Sequence, residues 1–342
     1  MQYGRASESG LIQPGGGAIL AKYLIVNADD FGFSRRVNDG IWHAHTAGAI
    51  TSATLMANMP GFDHAVWLAQ RTPSLGVGLH INLTYGKPLS PKEDIPSLVG
   101  LEGYFSDRRV GWNPEEAELE IERQLDKLLA ARMTPTHLDT HHHIHIEVPS
   151  IYAILKKIAL RRRIPMRRHP WAETGGDAPL QTERLIMDTF DDGNGTARLL
   201  RYLEDLPEGT TEIMCHPGYG EDKGTAASQG SAARAAELQT FTDPAVREAI
   251  RQLDIRLIHY GQLADVPASP VPDVPAIAET APEQVEIFLP QSGTTAVPLS
   301  VPAAGRRRRK SSYSRGRGKR RMRIKRRKRK PARVHRGNRR KR

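Results

Sequence analysis

The stretch Thr136-His-Leu-Asp-Thr-His-His-His-Ile-His145 carries five histidines and one carboxylate within ten residues. Its first half suits a β-strand, because apolar Leu138 lies between polar neighbours and threonine is β-branched. Pro149 then fits the first turn of a following helix. A strand that ends in a histidine cluster brings imidazoles to one edge of a sheet, where α/β enzymes place their chemistry. Neutral imidazole is also the commonest protein metal ligand, so the stretch predicts a metal site at a strand end.

Apolar runs and helical segments alternate on both sides of this stretch. Further strands are expected at 23–26, 51–57, 75–81, 164–168, 211–215 and 255–260. Helices are expected at 35–47, 63–70, 115–131, 150–162 and 243–253. Such alternation implies βαβ units and a parallel sheet. About seven strands over roughly 245 residues favour a closed or nearly closed (β/α) barrel over an open dinucleotide-binding sheet.

The charge of the chain is unevenly distributed. From Arg306 to Arg342 there are 23 Lys and Arg and no Asp or Glu, so positions 1–305 hold 27 basic and 38 acidic residues, a net charge of −11. We therefore expect a flexible N-terminus at 1–20, a barrel at 21–265, a proline-rich linker at 266–304 and a disordered polybasic tail at 305–342. The tail is suited to nucleic acid or an anionic surface. A solvated extension without a selected role is the alternative.

Cysteine usage and the lack of long apolar runs indicate a cytoplasmic protein. Cys215 is the only cysteine, so no intrachain disulfide can form and a reducing compartment is expected. No apolar run approaches the ~18 residues of a transmembrane helix. The first 17 residues also lack the basic and apolar regions of a secretory signal.

Ionisable residues follow four of the expected strands. They are Asp29 with Asp30, His80, the histidine cluster and His216. In a parallel barrel, residues just after the strands share one rim, so these groups can converge although they are far apart in sequence. A mixed set of carboxylates and imidazoles suits a catalytic divalent metal ion. A second aspartate beside a metal-binding one can remove a proton from a metal-held water.

Four motifs in this order resemble the YdjC-like carbohydrate deacetylases, the chito-oligosaccharide deacetylase family. They are Asn27-Ala-Asp-Asp-Phe-Gly32, Gly78-Leu-His80, Thr136-His-Leu-Asp-Thr-His-His-His143 and Met214-Cys-His-Pro217. The resemblance covers about Lys22 to Asp265 and implies a deacetylase-like (β/α) barrel. It also implies metal-dependent hydrolysis of N-acetyl groups from amino sugars or short oligosaccharides, with release of acetate. The chain also resembles the branch associated with hopanoid biosynthesis, and the sequence does not separate the branches.

The resemblance assigns roles to the strand-end residues. Asp30, His80 and His141 would be the metal ligands. Asp29 would be the general base and His216 would donate a proton to the departing amine. Which of Asp29 and Asp30 is the base stays open.

Four further residues are expected to bind substrate or to support the site. Asp139 could orient a ligand histidine. His142 and His143 follow the ligand histidine, and Arg167 matches an arginine of the family after a short strand. The family favours Mg²⁺ as the single divalent ion, with Zn²⁺ or another transition metal as alternatives.

The expected partners are an N-acetylated amino sugar, a nucleic acid or anionic surface at residues 306–342, and a second copy of the chain in a homodimer. Two other functions compete with the deacetylase. A metal phosphoesterase on a similar barrel would need a second metal and more basic residues near the strand ends. A nucleic-acid-binding or scaffold protein would act through the tail and carry an inactive barrel.

Overall fold

The computed structural model describes residues 21–170, 178–220 and 230–267 of the 342-residue chain. The expected flexible N-terminus at 1–20, the polybasic tail at 305–342 and all but two residues of the linker lie outside the described residues. In the part that is described, no helix is both long enough and apolar enough to cross a membrane.

Strands and helices alternate along the described chain. The strands are β1 Lys22–Phe31, β2 Ser52–Leu55, β3 Gly76–Ile81, β4 Leu138–Thr140, β5 Arg184–Ile186, β6 Gly209–Cys215 and β7 Arg256–Leu257. The helices are α1 Arg35–Ala47, α2 Phe62–Ala69, α3 Pro114–Ala130, α4 Ile144–Glu147, α5 Pro149–Arg162, α6 Gly195–Glu204, α7 Ser231–Thr242 and α8 Pro244–Gln252. Short 3₁₀ turns follow β4 and β7.

The seven strands form one parallel sheet. Their order is β4-β3-β2-β1-β6-β5, and β7 pairs with the first part of β1 at Tyr23 and Leu24. No ladder joins β4 to β5 within the described residues, so the sheet is an open half-barrel. The expected barrel of about seven parallel strands is thus confirmed as a half-barrel, in which the two end strands of the sheet do not pair among the described residues.

The starts of α1, α3, α5 and α8 follow the sequence signals, whereas α6 and α7 begin without a side-chain cap and were not expected. The Ser34 side chain caps α1 by accepting a hydrogen bond from the backbone of Val37, and Asp243 caps α8 through Ala245. Pro114 and Pro149 occupy the first turns of α3 and α5, where a missing backbone N–H costs nothing.

One expected strand is wrong and one observed strand was missed. Residues 164–168 form only a single parallel bridge, between Met166 and Leu138. The observed strand β5 is three residues long and partly exposed, so it lacks the apolar run by which buried strands are found.

The core lies between the sheet and the surrounding helices. Leu24, Val26 and Ala28 of β1 are buried together with Ile121 and Leu125 of α3. Because β1 is at the centre of the sheet, its carboxyl end is enclosed by neighbouring strands. That end is where the two aspartates lie.

Candidate active site

Asp29 and Asp30 lie at an irregularity of β1. The register with β2 is regular up to Ala28 and shifts before Phe31, and Asp30 has a φ of 67°. Successive side chains of a regular strand point to opposite faces, but a bulge re-aims one of them. Asp tolerates this left-handed conformation better than most residues. The irregularity lets two consecutive carboxylates lie buried beside one site.

Asp30, His80 and His141 converge from the ends of β1, β3 and β4. Asp30 Oδ1 lies 3.3 Å from His80 Nε2 and 2.9 Å from His141 Nδ1. All three side chains are buried, and one ligand atom from each lies within 4.8 Å of the others. The structure therefore brings together the three residues expected to bind the metal.

The donor atoms of this group fit a divalent metal ion. Asp30 Oδ1 and His80 Nε2 are buried and face each other and His141 at ion-pair distances, but neither atom makes a hydrogen bond of regular geometry among the described residues. Buried polar atoms normally have partners, so this pair is suited to a ligand. One carboxylate and two imidazoles leave coordination positions for water and substrate, as catalytic sites do.

A second group of possible ligand atoms, from Asp29, His80 and Asp139, is already satisfied by protein contacts. Arg167 donates to both oxygens of Asp29, at 2.7 and 2.6 Å, and its Nη1 lies 3.0 Å from Asp139 Oδ2. The guanidinium thus already supplies a positive charge to both carboxylates of this second group. The described site therefore suits one metal ion.

Asp139 orients His80. Its Oδ1 accepts a hydrogen bond from His80 Nδ1 at 2.7 Å, and its Oδ2 accepts one from Thr54 Oγ1 at 2.9 Å. Burial by itself lowers the pKa of His80, but the charge and hydrogen bond of Asp139 outweigh it and raise that pKa to about 10. Because Nδ1 donates to Asp139, Nε2 is directed at Asp30 and is the atom available to a metal.

Arg167 lies beneath the site and is fully buried. It holds three carboxylates: Asp29, Asp139 and Glu212, whose Oε1 accepts from its Nε at 3.0 Å. Burial raises the pKa of the Asp29 carboxyl, but the charge and hydrogen bonds of Arg167 outweigh this and hold it well below its usual range. Asp29 is therefore ionised and fixed in orientation.

Glu212 and Tyr260 complete this buried network, and neither was expected as a site residue. The Tyr260 hydroxyl donates to Glu212, and its ring stacks on His137 with centres 3.9 Å apart. Glu212 was detectable in principle, because it is a lone charged residue within the buried strand β6. His137 bonds Asn27 at 3.0 Å and serves the core.

His216 follows β6 directly. Its predecessor Cys215 pairs with Ala28 in the sheet, so His216 comes one position beyond that pair, beside the aspartates. Its backbone N–H donates to Glu237 of α7, whose pKa is raised by burial. The imidazole is near enough to Asp29 for its charge to contribute to the low pKa of that carboxyl, against the opposing effect of burial.

His142 and His143 have different surroundings, although both have a positive φ, 54° and 51°. His142 is exposed and stacks on His141 with ring centres 3.9 Å apart. Its Nδ1 lies 3.0 Å from Thr84 Oγ1. His143 Nδ1 is buried without a hydrogen-bond partner in the described chain, and burial lowers the pKa of this imidazole to about 3. His142 thus packs against an expected metal ligand, whereas His143 offers a neutral ring nitrogen.

Arg234 of α7 is a site residue that the sequence did not reveal. Its Nη2 donates to Asp30 Oδ2 at 2.5 Å, and its guanidinium carbon lies 5.3 Å from the centre of the Phe33 ring. Although burial raises the pKa of Asp30, the charges of His141 and Arg234 hold it well below its usual range. Arg234 is 204 residues from Asp30 and belongs to no motif, so only the fold brings it here.

Comparison with known proteins gives a consistent result. A family model described as YdjC-like protein matches residues 23–252. A carbohydrate deacetylase of Brevibacillus brevis is 40% identical over 249 residues, which cover 70% of this chain and 99% of that protein. A carbohydrate deacetylase of Geobacillus stearothermophilus is 39% identical over 246 residues, or 70% of this chain and 98% of that protein.

A solved structure shares the fold. The crystal structure of an Enterococcus faecalis protein described as acting in cellobiose-phosphate cleavage superposes with a TM-score of 0.64 at 28% sequence identity. The match covers 71% of this chain and 99% of that one.

Proposed function

The chain belongs to the YdjC-like protein family, and we propose that it hydrolyses N-acetyl groups of amino sugars or short oligosaccharides with one divalent metal ion. It is a carbohydrate deacetylase, as its curated relatives are. The observation that carries the metal-dependent reaction is the buried convergence of Asp30, His80 and His141, two of which hold unsatisfied ligand atoms.

Asp30, His80 and His141 would hold the metal ion. When bound, such an ion acts as a Lewis acid towards the acetamide carbonyl and lowers the pKa of a nearby water. The family resemblance favours Mg²⁺, whereas two imidazoles in a set of three ligands are equally suited to Zn²⁺ or another transition metal.

Asp29 is the proposed general base. Its carboxyl is ionised and fixed by two hydrogen bonds from Arg167, so it can accept the proton of the attacking water without first rotating. Asp30 is the less suitable base, because its Oδ1 lies between His80 and His141 in the group that would hold the metal ion.

His216 is the proposed general acid. It follows β6, which pairs with β1 on the edge opposite to β2, whereas His80 lies on β3, the strand beyond β2. A His216 side chain directed at the site would therefore approach the substrate from the side opposite His80. A proton from its imidazole to the leaving nitrogen would release a free amine, while the hydroxyl of the attacking water leaves with the acetyl group as acetate.

Acetate release from a panel of N-acetylated sugars tests this proposal. The wild-type protein should release acetate, and Asp29→Asn and His216→Ala should each lower turnover about 10²- to 10⁴-fold, as loss of acid–base groups does. Both variants should retain the metal. Near-normal turnover in either variant would show that its assigned role is wrong, and no acetate from any sugar with the wild type would refute the activity.

A further inference from the structure

The N–H groups of Arg167 all face carboxylates. An arginine side chain carries five such donors in one rigid plane. The Nη1 of Arg167 faces Asp29 and Asp139, at 2.7 and 3.0 Å. Its Nη2 faces Asp29 and Glu212, at 2.6 and 2.8 Å, and its Nε donates to Glu212 at 3.0 Å. Because the guanidinium is planar, the position of Glu212 at one edge sets the direction in which the other edge points at Asp29.

Tyr260 holds the second oxygen of Glu212. The Tyr260 hydroxyl donates to Glu212 Oε2, and both side chains are fully buried. Burial and the neighbouring Glu212 charge raise the pKa of the Tyr260 hydroxyl well above its usual range, so this group keeps its proton and acts as the donor. Glu212 thus has one oxygen held by Arg167 and the other by Tyr260, and it cannot rotate without breaking a buried hydrogen bond.

The Tyr260 ring is connected to Asp29 by a second route. It stacks on His137 with centres 3.9 Å apart and planes at 11°. His137 Nε2 lies 3.0 Å from Asn27 Oδ1, and Asn27 Nδ2 donates to Asp29 Oδ1 at 2.9 Å. The two routes together form a closed ring of buried contacts that begins and ends at Asp29.

The backbone of Tyr260 is anchored independently of its hydroxyl. The Tyr260 N–H donates to Ser52 Oγ, at the start of β2, at 3.1 Å. The 3₁₀ turn Tyr260–Asp265 begins at this residue, with His259 as its cap. Loss of the hydroxyl alone would therefore leave the chain and the stacked ring in place, and would release only the carboxylate.

Tyr260 has no exposed surface and so does not contact the substrate. Its hydroxyl acts on the reaction only through the groups that it orients. We propose that Tyr260 is a positioning residue, whose hydroxyl holds Glu212 and thereby aims the Arg167 guanidinium at the base Asp29. This inference rests on the proposed function of Asp29. Misplacement of a reacting group by about 1 Å costs up to about 10²-fold in rate, so the effect on turnover is measurable.

Removal of the hydroxyl alone tests the proposal. With acetate release as the readout, Tyr260→Phe should lower kcat about ten- to a hundredfold and leave KM unchanged, because the base is misaligned while the substrate contacts remain. In the Asp29→Asn background the same change should cause no further loss, since no base is left to align. Tyr202→Phe is the matched control, because the Tyr202 hydroxyl donates to Asp188, at 3.0 Å, and not to a site carboxylate. Equal losses in both backgrounds, or an unchanged kcat, would overturn the proposal.

Hydrogen exchange at the Arg167 Nε–H group tests the same contacts without reference to activity. In protein labelled with ¹⁵N-arginine, the signal is assigned by its absence from Arg167→Lys. Tyr260→Phe should speed the exchange about ten- to a hundredfold, the size expected for loss of one hydrogen bond to a charged group. Tyr202→Phe should leave the exchange rate unchanged. An unchanged rate in Tyr260→Phe would show that Tyr260 does not hold Arg167 and would overturn the proposal.

The two measurements separate failure of this inference from failure of the proposed function. Faster exchange together with an Asp29-dependent loss of kcat supports the inference. Faster exchange with unchanged kcat refutes the positioning role, while acetate release by the wild type still supports the activity. No acetate release by the wild type refutes the activity, and the exchange rates then still show whether Tyr260 holds Arg167. If melting curves show that Tyr260→Phe does not fold, Glu212→Gln serves for both measurements, because it removes the charge that orients Arg167.

Discussion

At the scale of single residues, Asp29 and Asp30 are neighbours with different surroundings. Asp29 is held by Arg167 from below, whereas Asp30 faces two histidines and Arg234. The difference arises at the end of β1, where a left-handed Asp30 interrupts the alternation of the strand. This arrangement gives a physical reason for assigning the base to Asp29 and the ligand to Asp30.

Alanine at Asp30, His80 or His141 should sharply lower metal occupancy, because each change removes one of three protein ligands. The measurement is metal content by mass spectrometry after chelation and titration with Mg²⁺, Mn²⁺, Co²⁺ or Zn²⁺. His45→Ala is the control, since His45 hydrogen-bonds Ser74 away from the site. Full occupancy in all three variants would disprove the ligand assignment.

Arg167→Lys should move the acid limb of the pH profile to higher pH. A base works only when deprotonated, and Arg167 holds the pKa of Asp29 down, so activity persists to low pH in the wild type. Lysine keeps the charge but loses the two parallel hydrogen bonds, which raises that pKa. The readout is kcat/KM against pH.

Arg168→Lys is the matched control for this change, because Arg168 is the neighbouring arginine and its Nη1 donates to the carbonyl of Thr182, at 3.5 Å, and not to a site carboxylate. Its profile should coincide with that of the wild type. A profile of Arg167→Lys that also coincides would show that Asp29 is not the base.

At the scale of strands and helices, local signals in the sequence were sufficient to predict most of what positions the site. Prolines or capping side chains indicated the starts of α1, α3, α5 and α8, and the buried runs indicated β1, β3 and β6. The irregularity in β1 was not predictable, because it depends on the register with β2. Arg234 was not predictable either, since it reaches Asp30 only through the packing of α7.

Helix α3 positions the loop that follows β3. Glu120 accepts hydrogen bonds from the backbone N–H groups of Leu89 and Ser90, at 3.0 and 2.8 Å, and Gln124 donates to the carbonyl of Asn82 at 2.7 Å. These buried side chains bind a loop that has little regular structure of its own. The helix therefore holds in place the loop that leads from the strand carrying His80.

Glu120→Ala should lower the free energy of unfolding by about 1–3 kcal/mol for each buried donor left without a partner. Urea unfolding gives this value directly. Glu118→Ala is the control, because Glu118 pairs with Lys157 at the surface, and exposed pairs contribute about 0–1 kcal/mol. Equal effects of the two changes would show that Glu120 does not anchor the loop.

At the scale of the whole molecule, the residues that build the sheet and the site lie between Lys22 and Asp265. The basic segment from Arg306 to Arg342 contributes 23 positive charges to a chain whose remainder has a net charge of −11. Fold and activity should therefore depend on the first part, and attraction to polyanions on the second.

Truncation after Asp265 should leave a folded deacetylase with wild-type kcat/KM. It should also abolish binding to duplex DNA and to anionic vesicles, which in the full chain should weaken steeply with added salt because counterions are released on binding. Melting curves, acetate release and a salt series check these outcomes. Loss of folding would make the removed segment structural, and binding that survives truncation would locate the anionic site on the barrel.

The most direct test of the central claim is metal add-back to chelated wild-type protein, with acetate release from N,N′-diacetylchitobiose as the readout. The structure predicts that chelation abolishes acetate release and that one equivalent of a suitable divalent metal restores it. Asp30→Ala treated in the same way should stay inactive at that metal concentration. Undiminished acetate release by the chelated protein, or full recovery of Asp30→Ala with one equivalent, would contradict a single metal ion held by Asp30, His80 and His141.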